Sequence, residues 1–184
     1  NVDTAFVVNP KLTANELLAT ICDDLGVSYP ENATSKILID RLNAHLVNTI
    51  GNDRRTLLII DEAQNLSVEV LEQLRLLTNL ETNQRKLLQI ILLGQPELLD
   101  TLSKQSLRQL AQRITASFHL DALNKKEVAE YIAHRLSVAG ARGNFFKRSA
   151  MDRIYSLSKG VPRVINLICD RSLLGAFAEN KAIV

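Results

Sequence analysis

Several features that mark particular classes of protein are scarce or missing in this sequence of 184 residues. It has no tryptophan, and aromatic residues make up 4% of the chain. No apolar run approaches the ~20 residues that a membrane-spanning helix needs, and no signal peptide is visible. The formal net charge is only +2, so charge alone gives no argument for a nucleic-acid or membrane partner. The 46% of apolar residues suffice for the core of one domain, or of one domain with a small appendage.

Cysteine and histidine are also few, and their positions argue against disulfide and metal chemistry. The two cysteines, Cys22 and Cys169, lie far apart in segments predicted to be helical. This is typical of buried thiols in a reducing cytosol rather than of a disulfide framework. The three histidines do not cluster, and no H-E-x-x-H spacing occurs. There is no G-x-S-x-G either, so serine hydrolase chemistry has no support.

Apolar runs and helical spacings alternate over the first two thirds of the chain. Short apolar runs predict buried strands at 5–8, 56–60, 88–93 and 115–120. Between them, helical spacing predicts helices at 14–25, 35–50 and 68–81, with one or two more in 97–113. Thr13 and Glu16 form a capping box for the first helix, and Gly26 closes it in a left-handed conformation. This alternation predicts an α/β fold, with parallel strands and helices on both faces of the sheet.

The pattern changes at Asn124, after which the sequence predicts helices. Asn124 and Glu127 can cap a first helix, a second follows near 148–158, and Pro162 starts the last one. A strand is left open only for the last residues, 182–184. The chain is therefore predicted to consist of an α/β part at 1–122 and a small helical part at 123–184.

The most informative chemical feature is the pair Asp61-Glu62, which follows the apolar run Leu57–Ile60. Ligands of open α/β sheets bind beyond the carboxyl ends of the strands, and two carboxylates there are costly to bury unpaired. A magnesium–phosphate group removes that cost, because Mg²⁺ prefers carboxylate and phosphate oxygens. Asp61 is predicted to hold Mg²⁺ and Glu62 to orient a water that attacks a γ-phosphate. The alternative is that either carboxylate caps the next helix or lies in solvent.

Four further polar residues are candidates for contacts with a nucleotide, either in the same cleft or on a neighbouring subunit. Gln95 ends the neighbouring predicted strand, where its amide could position water or merely start the turn before Pro96. Arg108 and Arg113 could stabilise phosphate charge on a neighbouring subunit, or could lie on a solvated helix face. Arg163 stands in the first turn of a helix, where its charge opposes the helix dipole. It could therefore bind a partner anion, or form a salt bridge to the α/β part.

Taken together, the segments LLIIDEAQ, LLGQPEL, LRQLAQRI and GVPRVIN resemble the AAA-type ATPases of the ExeA/GspA family, and within it those of type IV pilus biogenesis. The resemblance covers essentially the whole chain. It implies a P-loop NTPase fold with a helical lid, and a cytoplasmic ATPase that uses ATP and Mg²⁺. It also implies self-association and inner-membrane partners in a pilus or secretion machine. Gln95 would act as sensor 1, Arg163 as sensor 2, and Arg113, or else Arg108, as the arginine finger.

The sequence departs from that family in one respect. A P-loop ATPase needs G-x-x-x-x-G-K-[ST] to hold the phosphates, and none of the seven glycines precedes a Lys-Ser or Lys-Thr at this spacing. The expectation is that the chain is incomplete at its N-terminus and begins after this loop. On its own, it is then expected to bind ATP weakly or not at all, to be inactive, and to self-associate through exposed apolar surface.

Two other functions compete with a secretion or pilus ATPase. One is a DNA-handling ATPase of the transposition or origin-recognition type. DNA is not favoured as a partner, because the basic pairs are dispersed and lack interleaved aromatic residues. These pairs are Arg54-Arg55, Arg85-Lys86, Lys125-Lys126 and Lys147-Arg148. The other is an interaction scaffold without hydrolysis, against which the intact Asp61-Glu62 pair argues.

Overall fold

A computed structural model describes residues 2–8, 11–81, 85–141, 143 and 145–184 of the chain. The chain divides into two compact units, the first ending at Ser117 and the second spanning Phe118–Val184. The predicted boundary at residue 122 lies a few residues beyond this division. Within the described residues, no helix is both long enough and apolar enough to cross a membrane.

The first unit is built around a three-stranded parallel sheet. Strand β1 spans Val2–Val7, β2 spans Arg55–Ile60 and β3 spans Leu88–Leu92, in the spatial order β1-β2-β3. The register places Ala5 beside Leu58, and Leu58 beside Ile90. The α/β fold with parallel strands is thus as predicted, and β2, the strand that precedes Asp61, is central among the described strands.

Helices connect the strands of the first unit. Their bounds are Ala14–Asp24 for α1, Ser35–Gly51 for α2, Val68–Leu77 for α3, Glu97–Leu102 for α4 and Arg108–Ala111 for α5. The capping box of α1 is confirmed, since the Glu16 N–H donates to Thr13 Oγ1 and the Thr13 N–H donates to Glu16 Oε2. Gly26 has the predicted left-handed conformation, with φ +67°. Helix α3 ends at Leu77, short of the predicted Glu81.

The two faces of the sheet differ in how well they are covered. Ala5, Leu58 and Ile60 are fully buried with leucines of α1 and α2 in the core, and burying each large side chain stabilises the fold by roughly 1.5–3 kcal/mol. On the opposite face Phe6 and Ile91 remain 45% and 44% exposed. The prediction of helices on both faces therefore holds for one face only in the part of the chain that is described.

The strand predicted at 115–120 is absent. These residues are exposed and pair with no described strand, and the side chains of Phe118 and Leu120 are 90% and 93% exposed. A strand exists only where another strand offers its backbone groups for pairing, and short apolar runs do not reveal whether one does. Residues 182–184 form no strand either, although Val184 exchanges two backbone hydrogen bonds of 2.9 Å with Phe145 and Lys147.

In the second unit, the described residues form three helices with a core of their own. Helix α6 spans Lys125–Val138, α7 spans Arg148–Ser158 and α8 spans Pro162–Ala178. The capping box of Asn124 and Glu127 and the start of α8 at Pro162 are as predicted. The turn before α8 needs Gly160, because φ is +79° and a Cβ there would lie 1.9 Å from the Leu123 carbonyl oxygen.

Candidate functional site

Asp61 and Glu62 lie at the carboxyl end of β2, where the backbone is held from both sides. The Asp61 N–H donates to the Val7 carbonyl at 2.9 Å, and the Ala63 N–H donates to the Leu93 carbonyl at 2.8 Å. The Leu93 N–H in turn donates to the Ile60 carbonyl at 2.8 Å. These bonds extend the ladders past the last paired residues of the strands, so the two carboxylates start from a fixed backbone.

The conformation of Glu62 is unusual for its residue type. Its φ of 53° and ψ of 35° are left-handed, a conformation that costs roughly 1–3 kcal/mol outside glycine and often occurs at functional sites. The Glu62 N–H donates to Asp61 Oδ1 at 2.8 Å. Glu62 stands at the N-cap position of a short 3-10 helix, Ala63–Asn65, but its side chain makes no capping hydrogen bond there. The following helix, α3, is capped by Ser67, whose Oγ accepts a 3.3 Å hydrogen bond from the Val70 N–H. Side-chain capping of a helix by either carboxylate is therefore not found among the described residues, whereas Glu62 is exposed to solvent and Asp61 is half-buried.

Gln64 joins the carboxylate pair to the segment after β3. Its Nε2 donates to Glu62 Oε2 at 2.6 Å, and its Oε1 accepts from the Gln95 N–H at 3.0 Å. The predicted residues Glu62 and Gln95 are thus brought together through a third residue, which the sequence analysis did not identify. No sequence signal marks Gln64 for this role, because its contacts depend on the left-handed φ of Glu62 and on the position of Gln95.

The side chain of Gln95 itself is exposed, and its contact with Gln64 is made by its backbone. Its carbonyl oxygen accepts a 2.9 Å hydrogen bond from the Leu98 N–H at the start of α4. The amide group is therefore carried on an anchored backbone at the same edge of the sheet as the carboxylates.

The carboxylates present the type of oxygen that Mg²⁺ prefers. Asp61 is half-buried, one of its oxygens accepts the Glu62 N–H, and the other makes no hydrogen bond in the described part of the chain. The described residues contain no group of three or more His, Cys, Asp or Glu side chains that could hold a metal. Mg²⁺ is usually bound by one or two carboxylates together with substrate phosphates and water. Asp61 fits that pattern, with Glu62 beside it.

The two arginines near α5 differ in their surroundings. Arg113 is exposed, but its Nη1 lies 3.2 Å from Thr78 Oγ1 and 3.5 Å from the Thr78 carbonyl oxygen, just beyond the end of α3. Arg108 is exposed in the first turn of α5, and its side chain has no ion pair or hydrogen bond to a described residue. Both arginines lie in the first unit, and only Arg113 is restrained there.

Arg163 belongs to the second unit, at the second position of α8 after Pro162. Its side chain is exposed and forms no ion pair or hydrogen bond with the described residues. Its predicted contact with the same nucleotide as Asp61 stays a prediction.

The cysteines take no part in this site. Both are free and buried, as predicted. Burial raises the pKa of the Cys22 thiol to about 11 and that of Cys169 to about 11, so both are protonated, structural thiols at neutral pH.

Known sequences similar to this chain include a family model and a curated relative. The family model of the AAA domain matches residues 1–102. The chain is also similar to general secretion pathway protein A of Aeromonas hydrophila, with 49% identity over 177 residues. That alignment covers 96% of this chain and 32% of the relative, so the chain spans about a third of the length of that protein.

Solved structures with the same fold have distant sequences. Cdc6p from Pyrobaculum aerophilum matches with a TM-score of 0.72 at 14% identity, over 100% of this chain and 50% of that one. The ORC2 protein of Aeropyrum pernix, in its ADPNP–ADP complexes, matches with a TM-score of 0.68 at 16% identity, over 100% and 50%. The RuvB Holliday junction branch migration motor of Thermotoga maritima matches with a TM-score of 0.56 at 18% identity, over 99% and 58%. At these identities the likeness concerns the fold alone.

Proposed function

Since the chain belongs to the AAA domain family, we propose that it supplies the hydrolytic edge of an ATP-driven module in a general secretion apparatus. The observation that carries this proposal is the placement of Asp61 and Glu62 at the carboxyl end of the central described strand, on a backbone held from both neighbouring strands. Substrate phosphates bind at this end of parallel sheets.

Each residue then has a role in the hydrolysis of ATP. Asp61 would hold Mg²⁺, which would supply charge neutralisation for the phosphates. Glu62 accepts a hydrogen bond from the water that attacks the γ-phosphorus, so that the bond to ADP breaks and inorganic phosphate leaves. The Gln95 amide positions the γ-phosphate as sensor 1, and Arg163 reaches the phosphates from the helical unit as sensor 2.

An arginine from a neighbouring copy completes the proposed site. Arg113 is the first candidate for this arginine finger, because its hydrogen bonds to Thr78 hold the guanidinium in one place before any ligand arrives. Arg108, which lacks such restraint, is the second. A finger supplied in trans requires the protein to work as an oligomer.

The proposed role in a secretion apparatus comes from similarity to a known protein. The 49% identity to general secretion pathway protein A supports a role in secretion, with inner-membrane components of that machine as partners and a place at the cytoplasmic face of the membrane. The proposal includes assembly of a type IV pilus, because the segments DEAQNL, GQPEL and GVPRVIN together support the ExeA/GspA resemblance as a whole.

A DNA-handling role is less well supported by the surface charges. In three of the four basic pairs, members are already engaged with acidic side chains, which weakens any field that could attract phosphates. These contacts are Arg54 with Asp3, Arg85 with Asp53, Lys86 with Glu81, Lys125 with Asp152 and Lys126 with Glu130.

The direct test is ATP turnover by the full-length protein carrying Glu62→Gln. The amide keeps the size of the side chain but cannot accept the water proton, so kcat should fall by about 10²-fold or more while ATP still binds. Glu69→Gln, at an exposed position in the first turn of α3, is the matched control and should leave turnover unchanged. Turnover that survives Glu62→Gln would remove the catalytic role assigned to Glu62.

A further inference from the structure

The amide of Gln64 connects two segments that lie 31 residues apart in the chain. We infer that Gln64 is a positioning residue, which holds the Glu62 carboxylate in place and ties it to the backbone after β3. This inference rests on the proposed function, because it takes Glu62 as the residue that orients the attacking water.

Both ends of the Gln64 amide are used, and this fixes its orientation. The NH₂ group donates to a Glu62 carboxylate oxygen, while the carbonyl oxygen accepts the Gln95 N–H. The reverse orientation would place oxygen against carboxylate and NH₂ against an N–H donor, leaving four polar groups without partners. The amide therefore links Glu62 to the Gln95 backbone in one orientation.

The connection restrains one oxygen of Glu62 and leaves the other available. Oε2 accepts the hydrogen bond from Gln64, whereas Oε1 has no hydrogen bond to a described residue. The backbone on either side of Glu62 is held by the hydrogen bonds of Asp61 and Ala63, so the bond to Gln64 restricts where Oε1 can point. A general base must lie within hydrogen-bond reach of its water, so losing this restraint should slow the chemical step more than it weakens the binding of ATP.

Gly94 provides the space for this arrangement. A Cβ at position 94 would lie 2.9 Å from Gln64 Oε1 and 3.3 Å from the Gln64 backbone nitrogen. It would also lie 3.2 Å from Leu98 Cδ2. A methyl group there requires the Gln64 amide to shift, which should disturb its hydrogen bond with the Gln95 N–H. Gly94→Ala should therefore reproduce the effect of changing Gln64 without altering any polar side chain.

The test measures kcat and KM for ATP with the full-length protein carrying Gln64→Ala. We expect kcat to fall by roughly 10- to 100-fold, the order of loss that follows from misplacing a catalytic group, with KM changed by less than about threefold. Gly94→Ala should lower kcat in the same way. Asn65→Ala, at an exposed position in the same turn, is the control and should behave like the wild type.

A double-substitution cycle separates positioning from general loss of structure. If Gln64 acts through Glu62, adding Gln64→Ala to Glu62→Gln should lower single-turnover rates by less than about twofold further, because the two residues work as one unit. Full additivity of the two losses would overturn the inference. Gln64→Glu serves if Gln64→Ala does not fold, since its carboxylate repels that of Glu62 and should lower kcat as well.

The outcomes distinguish this inference from the function on which it rests. A wild-type protein without ATP turnover would remove the proposed function itself. A wild-type protein whose turnover depends on Glu62 but not on Gln64 or Gly94 would overturn only the positioning role of Gln64.

Discussion

The carboxylate edge of the sheet and the arginine positions differ in how far this chain alone prepares them for chemistry. At the edge, Asp61, Glu62 and Gln64 are held by backbone ladders, a left-handed residue and a bridging amide. Glu62 is as exposed as Arg108 and Arg163, but neither arginine side chain has a hydrogen-bond or ion-pair partner among the described residues. The carboxylate edge is thus organised before any ligand binds. The two arginines, in contrast, are available to bind an anion that is brought to them.

Arg113 is intermediate between these two regions, and its substitution should have the largest effect. Arg113→Ala in the full-length protein should lower kcat by about 10³-fold, the lower end of what an arginine finger contributes, with ATP affinity retained. Arg108→Ala should lower it by less than about tenfold. Measurement of kcat and of nucleotide affinity on both variants decides between them. A larger loss with Arg108→Ala would transfer the finger role to Arg108.

The turn before α8, the helix that carries Arg163, can be disturbed without changing the arginine itself. Gly160→Ala places a Cβ 1.9 Å from the Leu123 carbonyl oxygen at a φ of +79°, and should destabilise the second unit by roughly 2–4 kcal/mol. Gly140→Ala is a matched control, because its φ is +80° with nothing within 4 Å of the added Cβ. It should cost about 1 kcal/mol. Denaturant unfolding compares the two, and equal costs would contradict the close contact at Gly160.

A substitution with a smaller effect tests whether Asp61 and Glu62 contribute to the stability of α3. Ser67→Ala removes the side-chain cap of α3 and should lower the free energy of unfolding by about 1 kcal/mol, measured by urea denaturation. It should leave kcat of the full-length protein unchanged. If Asp61→Asn destabilised α3 as much as Ser67→Ala does, the carboxylate would be supporting that helix, and the contrast between the two regions would weaken.

The sequence was most informative where structure depends on neighbours in the chain. Both capping boxes, at Thr13 and Asn124, are confirmed. They could be predicted because the donor and acceptor lie only three residues apart. The position of Asp61-Glu62 at the end of a buried parallel strand follows from the apolar run before it. These features need no knowledge of the rest of the fold.

Features that depend on distant partners could not be predicted. The run 115–120 has strand-like residues, but no described strand pairs with it. The role of Gln64 depends on the left-handed φ of Glu62 and on the path of Gly94 and Gln95, 30 residues away and more. Likewise, nothing in the segment LRQLAQRI indicated that Arg113 would reach Thr78 while Arg108 would not.

The most direct test of this contrast mixes two inactive forms of the full-length protein, one carrying Glu62→Gln and the other Arg113→Ala. If the carboxylate edge is complete within one copy and the arginine acts on the next, some interfaces of a mixed oligomer combine an intact Glu62 with an intact Arg113. Mixing should then restore ATP turnover to about a quarter of the wild-type level for random assembly. Mixed oligomers that form, yet show no turnover above that of either variant alone, would contradict it.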